Sequence, residues 1–355
     1  MLELVKEKWP FWAIGLAAAI LLGGALRLVW VEDMEFKADE AWTFKRTQQI
    51  GETEAWPWLG MQSSTELPNP GMSLWVFVGL AKLVGAHEPT TLARAVQVLN
   101  IGALLVLVWF ALRIVPRPER EPWLWAAALV ALNPLAIEMH RKIWPPSILP
   151  ILTMIMLSGW WYRDRRWGGF LWGLIGMCIG QIHMSGFFLL GGFALWTGLF
   201  DRQKCCWRTW FAGVALGALP AIPWLWSMLT APGSHINHTR WYHAVESKFW
   251  LRWLTEPFGL GVSFALDRDF VDFLTYPLIA GRPTYLMLVL HVLLIVIGTI
   301  VLLRFGYQLW QDRREALQMW LGQSSTTAFM VSASLWGFGI LLTLSNHVPP
   351  QIAFR

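Results

Sequence analysis

Of 355 residues, 55% are hydrophobic and 14% are charged, against about 25% charged in a typical soluble domain, which excludes a chain whose whole surface is wetted. The net charge of +5 comes from basic residues scattered over short segments between apolar runs. That scatter excludes the single basic stripe of a nucleic-acid binder.

A helix that crosses the hydrocarbon core needs about 20 predominantly apolar residues, and runs near that length recur along the chain. They fall at 11–31, 95–115, 122–137, 147–162, 168–183, 186–200, 209–229, 283–303 and 328–345, which predicts an all-α polytopic membrane protein with about nine transmembrane helices. The first run follows Lys6 and Lys8 and has no clear small-residue cleavage site, so it reads as an uncleaved anchor. Trp9, Trp12 and Trp30 bracket it, as indole rings do at a membrane interface.

Beyond it, residues 32–94 form a first outer loop. Within that loop the apolar stretch 72–85 is short and interrupted by Lys82, and it is expected to lie on the surface as an interfacial helix pinned by Trp75 and Lys82. A crossing there would invert every later loop. Lys and Arg in short loops mark the cytoplasmic side. An inside N-terminus places Arg113, Arg117 and Arg120, then Arg163, Arg165 and Arg166, then Arg202, Lys204 and Arg208, then Arg304, Arg313 and Arg314 there together. The other side receives the acid-rich residues 32–71, the connection 138–146, a long outer loop at 230–282 and the C-terminal end. No internal repeat appears, so residues 1–355 read as one membrane domain. Cys178 lies in an apolar run and Cys205 adjoins Cys206 in a basic loop, which makes no disulfide framework.

Three groups of polar residues face outward in this topology. Arg27 near the end of the first span is followed by Phe36-Lys37-Ala38-Asp39-Glu40-Ala41-Trp42. Carboxylates beside apolar walls have raised pKa values and serve as bases near neutral pH. Helical neighbours point about 100° apart, so one of Asp39 and Glu40 meets a substrate while the other braces. The plainer alternative is a solvated acidic stretch that keeps the loop outside. Arg141 and Lys142 stand where a lipid headgroup would lie, one able to grip a phosphate bidentately and the other a point charge; otherwise they are a snorkelling pair at span ends. In the long outer loop, Arg240, Trp241 and Tyr242 read as a sugar or acceptor surface, or as an ordinary interfacial loop. His235, His238 and His243 are too irregular in setting for a zinc assignment. His183 either meets substrate at the floor of a cavity or is a satisfied polar group at a span end.

An Arg in the first span followed by Asp39-Glu40 opening the first outer loop resembles the membrane glycosyltransferases of the GT-C fold, such as protein mannosyltransferases and lipid A aminoarabinose transferases. Further similar elements follow in order over roughly residues 10–200: Leu67-Pro68-Asn69-Pro70-Gly71, Leu83-Val84-Gly85 with Arg94, Leu132-Asn133-Pro134, Met139-His140-Arg141-Lys142-Ile143-Trp144 and Gln181-Ile182-His183. The resemblance implies an inverting transfer from a polyprenyl-phosphate sugar to a lipid, glycan or protein acceptor, metal-independent or assisted by a divalent cation. It implies a bacterial inner membrane with the active site outward and the first Asp acting on the acceptor. The chain departs from the pattern where relatives carry an acid after the Arg of the second outer loop. Pro145, Pro146 and Ser147 stand there, and Glu138 is the nearest carboxylate. The basic residue beside the Pro-Pro element is missing, and relatives continue with further spans beyond the position of Arg355.

A second reading is a transporter or flippase with the same span count, and a third an inactive scaffold of the GT-C fold. Transporters usually bury ionisable residues near the bilayer midplane, whereas here the spans are nearly free of charge and the polar interest lies in outward loops.

Overall fold

The computed structural model describes residues 11–29, 34–62, 68–230, 270–311, 313, 318 and 325–344, and it is about 79% helical. The all-α expectation therefore holds at that level. In chain order the helices begin with α1 (Phe11–Leu28), α2 (Ala38–Gln49), α3 (Met72–Val84), α4 (Pro89–Arg113), α5 (Arg120–Leu132) and α6 (Pro134–Met139). They continue with α7 (Leu149–Trp161), α8 (Arg166–Ile182), α9 (Ser185–Phe200), α10 (Trp207–Ala218) and α11 (Ile222–Thr230). After the residues left undescribed come α12 (Phe270–Thr275) and α13 (Leu286–Gln311). A last run of α14 (Thr326–Ser332), a π-helical stretch Ala333–Phe338 and α15 (Gly339–Leu344) follows. Two short antiparallel hairpins, Leu59–Gln62 with Pro68–Pro70 and Leu278–Ile279 with Arg282–Pro283, are the strands among the described residues.

The described part of each apolar run read from the sequence is mainly helical, but among the described residues three helical stretches are long and apolar enough to cross a membrane: Pro89–Arg113, Trp207–Thr230 and Leu286–Arg304. Length and composition thus carry three spans rather than nine. The others are shortened or interrupted for identifiable reasons. Helix α7 has 13 residues, which reach only about 20 Å at 1.5 Å per residue. The run 122–137 is broken between α5 and α6, because Pro134 has no N–H to donate to Val130 O. Asn133 then caps the restarted helix, its side-chain oxygen accepting from the N–H groups of Leu135 (2.9 Å) and Ala136 (3.3 Å).

That break leaves the carbonyls of Val130 and Ala131 without helical partners, and Arg27 supplies them. The fully buried guanidinium of Arg27 donates to Ala131 O at 2.7 Å, Val130 O at 2.9 Å and, in its own helix, Gly23 O at 2.8 Å. A buried carbonyl without a donor costs about 1–3 kcal/mol, so a buried arginine and a broken helix satisfy each other. The approach is close. A Cβ on Gly23 would lie 2.2 Å from Ala131 O, so only glycine lets α1 and α5 meet here. Arg27→Met should therefore destabilise the folded chain by at least one such carbonyl, about 1–3 kcal/mol, read as a lower unfolding temperature of the detergent-solubilised protein. An unchanged unfolding temperature would show that water or a neighbouring group takes over.

Helices α8 and α10 pack closely over much of their length. A Cβ on Gly173 would lie 2.3 Å from Trp210 O, and one on Gly213 would lie 2.1 Å from Phe170 O, which is the small-residue packing that lets helices approach closely without a hydrophobic driving force. The largest cluster of buried apolar side chains, including Phe110, Trp160, Trp172 and Phe193, sits toward the end of the helices where α4 finishes and α8 begins. At that end Arg163, counted above among the loop cations, is buried. Its Nε and Nη2 donate to Asp201 Oδ2 at 3.0 and 2.5 Å, and its guanidinium lies 4.2 Å from the Trp160 ring centroid. Burial pushes the Cys205 thiol up to about 12, which leaves it a poor nucleophile.

A second cluster, built on Phe77, Ala81, Leu92, Val96, Ile143 and Ile148, joins α3 and the start of α4 to the connection after α6. It holds the candidate site together at the opposite end from Arg163.

Candidate functional site

Helix α2 begins at the acidic motif. Lys37 is its extended N-cap residue, and the Lys37 N–H donates to Glu40 Oε2 at 3.0 Å, the reach-back bond of a capping box. Acids in a first turn also suit the positive end of the helix dipole. The two carboxylates then part as helical geometry requires. Glu40 turns inward and is buried, whereas Asp39 is exposed. Burial raises the Glu40 pKa, with the neighbouring Asp39 charge adding to the rise and the backbone N–H groups of Glu40 and Lys37 opposing it.

The connection after α6 supplies the basic side. Lys142 forms an ion pair with Glu35 and lies 3.9 Å from Glu40 Oε1, and its ammonium is 5.8 Å from the Trp144 ring centroid. Arg141 is buried and its Nη2 donates to Val29 O at 3.3 Å, at the end of α1. His140 accepts from Arg27 Nε through Nδ1 at 3.1 Å. Burial first, and the Arg27 charge second, hold the His140 imidazole well below its usual pKa and therefore neutral, as an acceptor to a guanidinium must be. Asn100 on α4 pins the connection at both ends, donating to His140 O at 3.2 Å and Ser147 O at 2.8 Å. Ser147 in turn donates to Met139 O at 2.6 Å.

His183, just after α8, packs edge-on to Trp144 at 6.4 Å between centroids and shares a 2.6 Å hydrogen bond with Ser185 Oγ. Glu138 is buried on α6. The segments carrying Glu40, Arg141, Lys142, Glu138 and His183 are thus gathered at one end of the helices, with Asp39 beside them on the exposed face of α2. Two further elements quoted from the sequence have other settings. Gln181 donates to Gly217 O at 2.6 Å and Met177 O at 3.2 Å, and Arg94 is an exposed residue of α4. Arg240 and Trp241, with His235, His238, Tyr242 and His243, lie outside the described residues.

Sequence reading missed Glu35, Asn100 and the pairing of Arg27 with His140. The alternation Glu35, Lys37, Asp39 was the visible signal for the first; a lone Asn in an apolar helix, which needs a partner when buried, was the signal for the second. Among the described residues no group of three or more His, Cys, Asp or Glu side chains is placed to hold a metal ion. Compared with protein families, characterised proteins and solved structures, the chain matches none.

Proposed function

We propose that the chain is a polytopic membrane glycosyltransferase of the GT-C kind that moves a sugar from a polyprenyl-phosphate donor to a lipid, glycan or protein acceptor at the outer face of a bacterial inner membrane. The observation that supports it is the ion pair of Lys142 with Glu35 and its approach to Glu40, which bring the start of the acidic motif against the connection that carries Arg141 and Lys142. An acid pair beside a basic pair is what displacement of a phosphate requires. Asp39 takes the proton from the acceptor hydroxyl or amine, and the acceptor atom attacks the anomeric carbon. The bond from that carbon to the phosphate oxygen breaks, and its electron pair leaves with polyprenyl phosphate on the opposite face.

Arg141 and Lys142 stabilise the charge that grows on the departing phosphate, and Glu40 braces the loop. Glu138 and His183 are assigned to substrate on the donor side, and Arg240 with Trp241, outside the described residues, to a sugar or acceptor surface. A divalent cation is an optional aid in this reading, not an assigned ligand. Transfer of radiolabelled sugar from a polyprenyl-phosphate donor to endogenous acceptors in membranes carrying the chain tests it. No transfer from any such donor would refute the enzyme reading.

The topology that goes with this function has about nine crossings. Helices broken at Asn133 or at Pro220 count as single crossings, and α3 lies along the outer surface. The cytoplasmic side holds the Arg-rich loops. Single cysteines placed near 118, 165 and 313 should then resist an impermeant thiol reagent in intact cells, while cysteines near 90 react. The reverse pattern would mean that α3 crosses.

A transporter or flippase is the second reading, and one observation favours it. His291 is buried in α13, its Nδ1 has no hydrogen-bond partner among the described residues and the Phe270 ring is 5.6 Å away; ionisable groups inside spans often mark a transport path. Movement of a lipid-linked sugar across vesicles without its cleavage would support that reading.

A further inference from the structure

Glu35 stands outside the proton and phosphate steps just described, yet it is ion-paired with Lys142. It lies in the non-helical connection between α1 and α2, two residues before the N-cap of α2, and its side chain is mostly buried. A second cation is within its reach. Lys37 Nζ is 2.6 Å from Glu35 Oε1, and the Lys37 side chain is 59% exposed. The carboxylate therefore bridges a buried ammonium and a solvated one. Its loss from Lys142 leaves it still paired with Lys37, and no regular helix has to break for it to move.

We propose that Glu35 holds the place of the donor phosphate: its carboxylate occupies the Lys142 ammonium in the empty site, and an arriving lipid phosphate displaces it onto Lys37. This rests on the glycosyltransferase reading. The exchange is charge for charge, because a polyprenyl-phosphate sugar is a phosphodiester with one negative charge. The buried ammonium is never left uncompensated, which would be strongly unfavourable. Glu35 is then a positioning residue that sets how tightly the phosphate is held and rejects neutral lipids, since only an anion can take its place at Lys142.

The test is equilibrium binding of the methyl ester of polyprenyl phosphate, a phosphodiester with the single negative charge of the donor, with the polyprenyl alcohol as the uncharged control, to the purified full chain in detergent. Glu35→Gln should tighten phosphate binding roughly tenfold, since it removes a competing charged hydrogen bond. Lys142→Gln should weaken it by a similar factor, and in the Lys142→Gln background the Glu35→Gln change should have no effect, as a double-mutant cycle requires of a pair acting through one contact. Lys37→Gln should weaken binding, because it removes the second cation that holds Glu35 once the phosphate has displaced it. Unfolding temperatures identify any variant that fails to fold, and the opposite signs expected for Glu35→Gln and Lys37→Gln are not produced by general loosening. Phosphate-dependent binding that Glu35→Gln leaves unchanged or weakens overturns this inference alone. A Glu35 effect that survives without Lys142 does the same. Absence of any preference for the phosphate over the alcohol in the unaltered chain overturns both this inference and the glycosyltransferase reading.

Discussion

Asp39→Asn should lower sugar transfer by about 10²–10⁴-fold, the usual effect of removing a general base, with little change in donor binding. Asparagine keeps the shape and the exposure of the side chain but cannot accept the acceptor's proton. Asp39 is the exposed member of the pair, so the substitution acts on a solvated carboxylate. Glu40→Gln offers the contrast. Glu40 is buried, accepts the Lys37 N–H and lies near Lys142, so its loss should loosen the start of α2 and lower the unfolding temperature more than Asp39→Asn does. The measurement is initial transfer rate in membranes, normalised to the amount of inserted protein. Near-normal transfer by Asp39→Asn moves the base elsewhere, first to Glu40 and then to Glu138.

Arg141→Ala should weaken donor binding roughly tenfold to a hundredfold, the range expected from losing one charged hydrogen bond of about 1.5–3 kcal/mol. The guanidinium is buried beside the end of α1 and donates to Val29 O at 3.3 Å, and that carbonyl also loses its donor in the variant. A stability effect therefore accompanies the binding effect, and Arg141→Lys separates them. Lysine restores the charge without the bidentate fork, so it should recover part of the affinity if phosphate is the partner. Donor affinity that is unchanged in Arg141→Ala would return Arg141 to the role of a snorkelling anchor at the membrane surface.

The helices were legible wherever apolar residues run unbroken, because hydropathy reports the burial that makes a helix worth forming in lipid. Their ends were less legible. Helix α4 starts at Pro89 rather than near 95, since its first turns carry Thr90, Thr91, Arg94 and Gln97, which add helix but no hydropathy. The run 122–137 read as one span although Asn133-Pro134 carries both a helix stop and a new N-cap, a local signal that a sliding apolar window averages away. Arg163 read as a solvated topology marker because nothing near it in sequence announces Asp201, its buried partner.

The same limit applies to the candidate site. Asp39 and Glu40 stood out by position, and their divergence followed from helix geometry alone. The bond between Arg27 and His140, and the contacts of Lys142 with Glu35 and Glu40, join residues far apart in the chain. Periodicity carries no information about such pairs. The packing of α1 against α5 at Gly23 and the cluster that joins α3 and α4 to the connection after α6 bring them together.

The most direct measurement of the central claim is product stoichiometry with the purified chain in liposomes, given a polyprenyl-phosphate sugar labelled in both the sugar and the lipid, together with an acceptor extract. The proposed chemistry breaks the bond between the anomeric carbon and the phosphate oxygen, so one polyprenyl monophosphate should appear for each sugar transferred, and both should vanish together in Asp39→Asn. Lipid-linked sugar that stays intact, whether left in place or moved to the other leaflet, would contradict it.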